Sequence, residues 1–329
     1  MSFRERKGKT MKGLLKKAVA SVLCAGMLLM ASGCGEEKPV GNIGDVELLE
    51  GDVYAIISIL DYGDITAKLF PEVAPESVKR FTEFAERGYY NGKTIHRVID
   101  NYAIQGGSLN DDGTDGEIPD AKYVPLETSD SAFNFYGALC LAANSKGCYS
   151  QFYIVDNNTP QDINKVIEKL SEQLADEEVA SRLLPEDKKY YEEYLKSLKA
   201  IPDAVKEKYA SVGGLYQLDK KSNVFGQVID GFDVLEKITA TEVVAGNAMD
   251  DEKGTPSKPI NSIIIENVEI ITIEPEVTET TTTTKKGGKK EETTETEIVA
   301  ETVATTTVPE TEPPETTTTT LGTLVSIDR

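Results

Sequence analysis

Apolar positions along the middle of the chain keep two different rhythms. Residues 53–60 alternate as a β-strand, Asp61-Tyr62-Gly63-Asp64 forms a turn, and residues 65–70 return as a second strand, so the pair reads as a hairpin. Pro75 then stands near the start of a helix and Gly88 just past its end. Between them Val78, Phe81, Phe84 and Ala85 recur at helical spacing and give one apolar face. Further short strands are predicted at 94–98, 103–105, 138–142, 152–155 and 224–228, with 263–273 closing the set. Many short strands with one or two helices predict a mainly β protein built as a closed barrel.

The rhythm changes between 157 and about 212. Ile163, Val166, Ile167, Leu170 and Leu174 keep helical spacing with charges between them, and Tyr191, Tyr194, Leu195 and Leu198 repeat it after Pro185. Pro202 opens a third short helix that ends near Gly213-Gly214. This is a helical insertion in a β pattern, too regular for an unstructured loop. It either adds a surface of its own or caps the barrel by packing on it.

Both ends of the chain depart from a globular pattern. A basic stretch ending at Lys16-Lys17 leads into an apolar run of 13 residues, 18–30, short of the roughly 20 a spanning helix needs. Small residues Ala31-Ser32-Gly33 follow, directly before Cys34. This resembles a bacterial lipobox, with Ala31 where leucine is usual, and implies a signal peptide over 1–33 and an acylated Cys34. The protein is then expected on the extracytoplasmic face of the cell membrane, lipid-anchored, with 34–50 as a polar tether. From 275 to 329 twenty of the 55 residues are Thr, interleaved with Glu and Pro, and this tail is expected to be disordered.

Charge narrows the function. The chain has 329 residues, 35 Lys and Arg against 56 Asp and Glu, and a formal charge of −21. Without the first 33 residues 28 bases face 55 acids, a charge of −27, which makes nucleic acid an improbable partner. One histidine and four scattered cysteines nearly exclude a His/Cys zinc site, and no metal or cofactor is expected. Cys140 and Cys148 stand eight apart in a chain read as exported. A disulfide between them is an open alternative to Cys140 as a small buried core residue.

The informative run is Thr94-Ile95-His96-Arg97-Val98-Ile99-Asp100-Asn101-Tyr102-Ala103-Ile104-Gln105-Gly106-Gly107. Arg97 and Gln105 fall on neighbouring strand-like segments, and the two glycines let the backbone turn closely beneath them. An arginine in a barrel wall is costly unless it is paired or used. The whole run resembles the cyclophilin signature, a histidine–arginine pair followed by an aromatic and a glutamine–glycine–glycine. Ala74-Pro75-Glu76-Ser77-Val78 through Arg87-Gly88-Tyr89-Tyr90-Asn91-Gly92 is similar to the family's first helix and loop. Gly137-Ala138-Leu139-Cys140-Leu141-Ala142 and Ser150-Gln151-Phe152-Tyr153-Ile154 are similar to its central strands. Gly213-Gly214, Leu218-Asp219 and Val224-Phe225-Gly226-Gln227-Val228 are similar to the segment that closes its pocket.

The resemblance covers 53–273 apart from the insertion. It implies a closed eight-stranded antiparallel cyclophilin-like barrel with capping helices, at 51–274, and peptidyl-prolyl cis–trans isomerase activity. The partners it implies are proline-containing unfolded or newly exported polypeptides. Arg97 matches the residue that donates toward the prolyl amide, and Gln105 the one that holds the substrate carbonyl or steadies the arginine. Backbone near Ala143 and Asn144 is expected to grip the residue before proline. Tyr102, Phe152, Tyr153 and Leu218 match an apolar floor, with His96, Gln151 and Ser222 also at the site.

Departures from the familiar pattern alter the expected pocket. Ala103 stands where a methionine is usual, and Tyr153 replaces a phenylalanine, adding a hydroxyl that needs a partner. Gln217 takes the place of the tryptophan that many members use to bind cyclosporin, so weak cyclosporin binding is expected. The altered floor keeps alive a second reading, a non-catalytic holdase or proline-peptide binding module. A surface adhesin rests only on the Thr-rich tail.

Overall fold

A computed structural model describes residues 41–46, 49, 51–114, 122–144, 147–245, 255–274, 277–282, 295–300 and 303–306. The expected signal segment, Cys34 and the first part of the expected tether lie outside the described residues. The chain divides into two compact units, the larger including Val40–Val46 and Tyr54–Ile270, the smaller Glu47–Val53 and Ile271–Thr306.

The larger unit is the expected barrel. Its strands are β1 (Val53–Ile59), β2 (Gly63–Leu69), β3 (Thr94–Ile99), β4 (Ala103–Gly106), β5 (Ala138–Asn144), β6 (Gly147–Val155), β7 (Asn223–Asp230) and the first part of β10 (Ile263–Glu274). β8 (Val243–Val244) and β9 (Lys258–Pro259) form a separate two-stranded sheet, with β9 lying against β3. Around the barrel the order is β1-β2-β7-β5-β6-β4-β3-β10, and β10 pairs back with β1, so the ring of eight strands closes with no edge strand. Alternation along β1, with Ala55, Ile57 and Ile59 buried, sends every second side chain into the interior.

Helix α1 (Pro75–Glu86) packs on β6 and β7. Its Phe81 ring is fully buried, lying 5.6 Å from Phe152 and 5.1 Å from Phe225. The insertion is four helices rather than three: α2 (Ile163–Ala175), α3 (Glu177–Arg182), α4 (Pro185–Lys199) and α5 (Asp203–Val212). The extra break comes where Asp176 ends α2 and accepts from the Glu178 and Val179 amides to start α3. Ile163, Leu198, Val205 and Tyr209 build a second core with Phe133, Phe135 and Tyr216, while Tyr191 is exposed. The pattern gave no sign of α6 (Phe232–Thr239), which buries Val234, Leu235 and Ile238 against β2 and β3.

Two expectations need correction. The tether docks earlier than residue 50: Asn42 is fully buried, donating to the Phe133 carbonyl (2.8 Å) and Gln227 Oε1 (3.0 Å) and accepting from the Phe133 amide (2.9 Å). A polar side chain with its amide fully bonded can enter a core. The tail is also not wholly disordered. In the smaller unit β11 (Val277–Thr282) pairs with β12 (Glu295–Ala300), and β13 (Val303–Thr306) pairs with residues 271–274 of β10. β-Branched Thr, Val and Ile supply strand propensity that a reading from low hydrophobicity overlooks. Of the two alternatives left open for the cysteines, the structure shows the core one: Cys140 and Cys148 are buried free thiols, facing Tyr153 and Ala143 across the ladder rather than each other. Burial raises both pKa values, that of Cys148 to about 12.

Candidate active site

The site is assembled from three barrel strands. Arg97 on β3 is in register with Gln105 on β4, and Gln105 with Tyr153 on β6. Arg97 Nη1 donates to Gln105 Oε1 at 3.4 Å, and Gln105 Nε2 donates to Gln151 Oε1 at 2.8 Å. Gln151 Nε2 in turn donates to the Gly113 carbonyl at 3.0 Å. Each amide spends its oxygen on one neighbour and its nitrogen on the next, so the orientation of Gln105 is fixed from both sides. Behind this line Gly107 has φ +77°, and a Cβ there would lie 2.8 Å from the Tyr90 ring. The glycine pair therefore allows the strand to end against a packed aromatic.

The guanidinium of Arg97 lies 5.5 Å from the centre of the Tyr102 ring, on the turn between β3 and β4. The negative face of an aromatic ring attracts a cation placed over it. Tyr102, Tyr153 and Leu218 are half-buried side chains packed on one apolar cluster, whose buried members include Cys140, Val155, Leu215 and Val224. Arg97 thus stands beside an apolar floor reached through Tyr102. The hydroxyl of Tyr153 finds the partner it needs in Asn134 Oδ1, at 3.2 Å, and Ser222 Oγ donates to the same oxygen at 3.0 Å.

His96 is buried, 4% exposed. Burial first, then the charge of Arg97, lower its pKa to about 4, against opposing influences from Asp112, the Thr94 backbone and Gln151. It is a neutral imidazole at neutral pH, and its ring takes no place on the floor. Phe152 also leaves the expected floor: it is fully buried and packs edge-on to Phe81 and Tyr90. Successive strand residues face opposite sides, so Tyr153 at the site places Phe152 in the core. Ala103 is buried beside Val155 and offers almost no surface.

The remaining candidates lie on the rim. Ala143 is exposed on β5, and Asn144 is described by its backbone. β7 pairs with β5 only as far as Leu141, so among the described residues the stretch 142–144 has β6 on one side and no strand on the other. Gln217 is exposed on the turn Tyr216–Leu218. Reading the sequence missed Asn134, which receives both floor hydroxyls; nothing in its local sequence marks it.

The family model described as cyclophilin-type peptidyl-prolyl cis-trans isomerase matches residues 54–174 and 204–270, which include every strand of this site. The chain belongs to the cyclophilin family. Its catalytic activity is peptidyl-prolyl cis–trans isomerisation. A protein of Staphylococcus saprophyticus named "Putative peptidyl-prolyl cis-trans isomerase" is 36% identical over 224 residues, 68% of this chain and 94% of that one. Its namesake in Staphylococcus aureus strain USA300 is 34% identical over 227 residues, with the same two coverages. A crystal structure of a cyclophilin-type isomerase from Cryptosporidium parvum aligns at 21% identity and a TM-score of 0.43, covering 66% of this chain and 96% of that one. The family match breaks between 175 and 203, so within the cyclophilin domain the added sequence is narrower than the whole helical segment.

Proposed function

We propose that this cyclophilin acts on newly exported polypeptides, outside the cytoplasm and anchored through Cys34, with Arg97 as its catalytic residue. The observation that carries the site is the Arg97 guanidinium, held between the Tyr102 ring and Gln105 beside the apolar floor. The chemistry requires no bond to be made or broken. The barrier to rotation, about 18–20 kcal/mol, comes from the double-bond character of the peptide C–N. A proline ring seated on Tyr102, Tyr153 and Leu218 leaves its amide nitrogen near Arg97. A hydrogen bond donated to that nitrogen favours a pyramidal atom that has lost conjugation, a form dominant only in the twisted transition state. Each ~1.4 kcal/mol gained there gives tenfold in rate.

Gln105 steadies the arginine, and the open edge at 142–144 takes the residue before proline as an added strand. The export reading rests on the basic, apolar and small-residue segments before Cys34. Gln217, polar and exposed, gives cyclosporin a poor surface.

Isomerisation of a proline tetrapeptide by the full chain tests the site. Arg97→Ala is expected to lower kcat/KM at least tenfold with the unfolding midpoint unchanged, and cyclosporin to inhibit the parent only weakly. Undiminished turnover in the variant removes Arg97 from the chemistry. No turnover by the parent, together with slower aggregation of an unfolded client, favours the holdase.

A further inference from the structure

Behind the floor runs a line of polar groups that the isomerase chemistry does not use. It begins on α5, outside the barrel, where the Tyr209 hydroxyl donates to Asp219 Oδ1 and Oδ2 at 2.8 and 2.9 Å. Asp219 Oδ1 also accepts from Asn134 Nδ2 and from the Asn134 amide, both at 3.0 Å. The other end of the Asn134 side chain, Oδ1, accepts from Tyr153, from Ser222 and, at 3.5 Å, from the Cys140 thiol.

The direction of this line follows from its charged member. An ionised carboxylate only accepts, so Asn134 must turn its nitrogen to Asp219 and its oxygen to the floor. The floor hydroxyls must then donate to that oxygen, which fixes where the Tyr153 ring sits. The backbone enforces the same division. Phe133 and Phe135, on either side of Asn134, pack with Tyr209 in the core of the insertion. Tyr209 lies 4.5 Å from Phe135, ring centre to ring centre. Gly214 takes φ +128°, and a Cβ there would come within 2.4 Å of the Asn134 carbonyl. That carbonyl accepts from the Leu215 amide at 2.7 Å, holding the segment that carries Asp219 and Leu218 against Asn134.

We propose that Tyr209 is a positioning residue for the prolyl pocket, acting through Asp219 and Asn134 on the Tyr153 side chain of the floor. The inference rests on the reading of Arg97 and Tyr153 as the catalytic site. Of the two carboxylate oxygens, Oδ2 has the Tyr209 hydroxyl as its hydrogen-bond donor, whereas Oδ1 keeps both Asn134 donors without it. Loss of the hydroxyl alone leaves a half-buried carboxylate short of a donor and relaxes what it orients. A floor that seats the ring less well weakens substrate and transition state together, which raises KM and spares kcat.

Tyr209→Phe keeps the ring on Phe135 and removes only the donor. Measured on the full chain, it is expected to raise KM for a proline tetrapeptide at least threefold with kcat within twofold of the parent. Tyr153→Phe is expected to do the same, and the double variant to add nothing further, because both cut one line. A KM unchanged in Tyr209→Phe, a fall in kcat at constant KM, or full additivity in the double variant overturns the proposal. Arg97→Ala, assayed alongside, separates the failures. Full activity in that variant sinks the site and the proposal with it, whereas a tenfold loss there with a silent Tyr209→Phe sinks the proposal alone.

Discussion

Asp156 is a carboxyl set among carboxylates. It is 6% exposed at the end of β6, in a cleft of about 420 Å³ that also contains Asp100 and Glu236. Burial first, then the charge of Asp100 and, more weakly, Glu236 raise its pKa from 3.8 to about 7, eased by the Thr239 hydroxyl and the Asn101 backbone. Between those two values the folded protein holds a proton that the unfolded chain has released. Stability therefore falls as pH rises from about 4 to 7, and the loss is complete above that window. Asp156→Asn removes the penalty. Its unfolding temperature is expected to exceed the parent's at pH 8, with the difference shrinking toward pH 4, as a pH series of thermal melts checks. His96 works in the opposite sense. Its contribution is present above pH 6.5 and is lost as pH falls toward 4.

The residue scale is also where the sequence was most uneven as a guide. Arg97, Gln105 and Tyr102 sit within one short run, so the sequence offers them together as candidates. Gln151 and Tyr153 came from a second matching segment. Asn134 and Asp219 are 85 positions apart and meet only because the chain folds back on itself. No local spacing records such a pair. Phe152 was misjudged for a different reason: a motif names neighbouring residues together, while the pleat separates them onto two faces.

At the scale of elements, α1 shows how a helix end is finished from a distance. Its N-cap position is Ala74, which has no side-chain oxygen to offer the first-turn amides. Glu127 supplies it, accepting from the Glu76 amide (3.0 Å), the Ser77 amide (2.8 Å) and the Ser77 hydroxyl (2.6 Å). The negative charge also lies at the favourable end of the helix dipole. Asn223 on β7 ties the arrangement to the barrel, donating to Ser77 Oγ (2.9 Å) and accepting from the Glu127 amide (3.1 Å). Glu127→Ala is expected to cost about 0.5–2 kcal/mol, the range for losing a helix cap. A urea titration checks this, and an unchanged midpoint rules the cap out as a contributor.

The same scale explains which elements were readable. The eight barrel strands and α1 carry alternating or helical apolar spacing strong enough to place without tertiary information. β6 was read only over 152–155 because its first half, Gly147-Cys148-Tyr149-Ser150, mixes small and polar residues. α6 escaped notice because it is eight residues long, too short for periodicity to stand out. The tail strands escaped because their composition was judged by hydrophobicity, whereas pairing partners and β-branching decide there.

For the whole molecule, the strongly acidic net charge and the segment before Cys34 bear on where the enzyme works. Cys34→Ser removes the thiol that an acyl chain requires. Cell fractionation is expected to find the parent with the membrane and the variant in the soluble or released fraction, with isomerase activity intact in both. Co-sedimentation of the variant with membranes contradicts a lipid anchor at this residue.

The barrel seam has a bearing on time rather than on place. Closure joins the first barrel strand to the last: β1 pairs with β10, and the Leu60 amide donates to the Ile264 carbonyl at 2.9 Å. These residues are about two hundred positions apart, so the contact that removes both free edges is among the most non-local in the domain. No nascent chain can form it until β10 has emerged. Up to that moment β1 and β3 are open edges, and the incomplete barrel resembles the unfinished chains on which prolyl isomerases act. A barrel closed this way gains its last seam only when nearly the whole domain has been made, so the rigidity of the finished sheet arrives late and all at once.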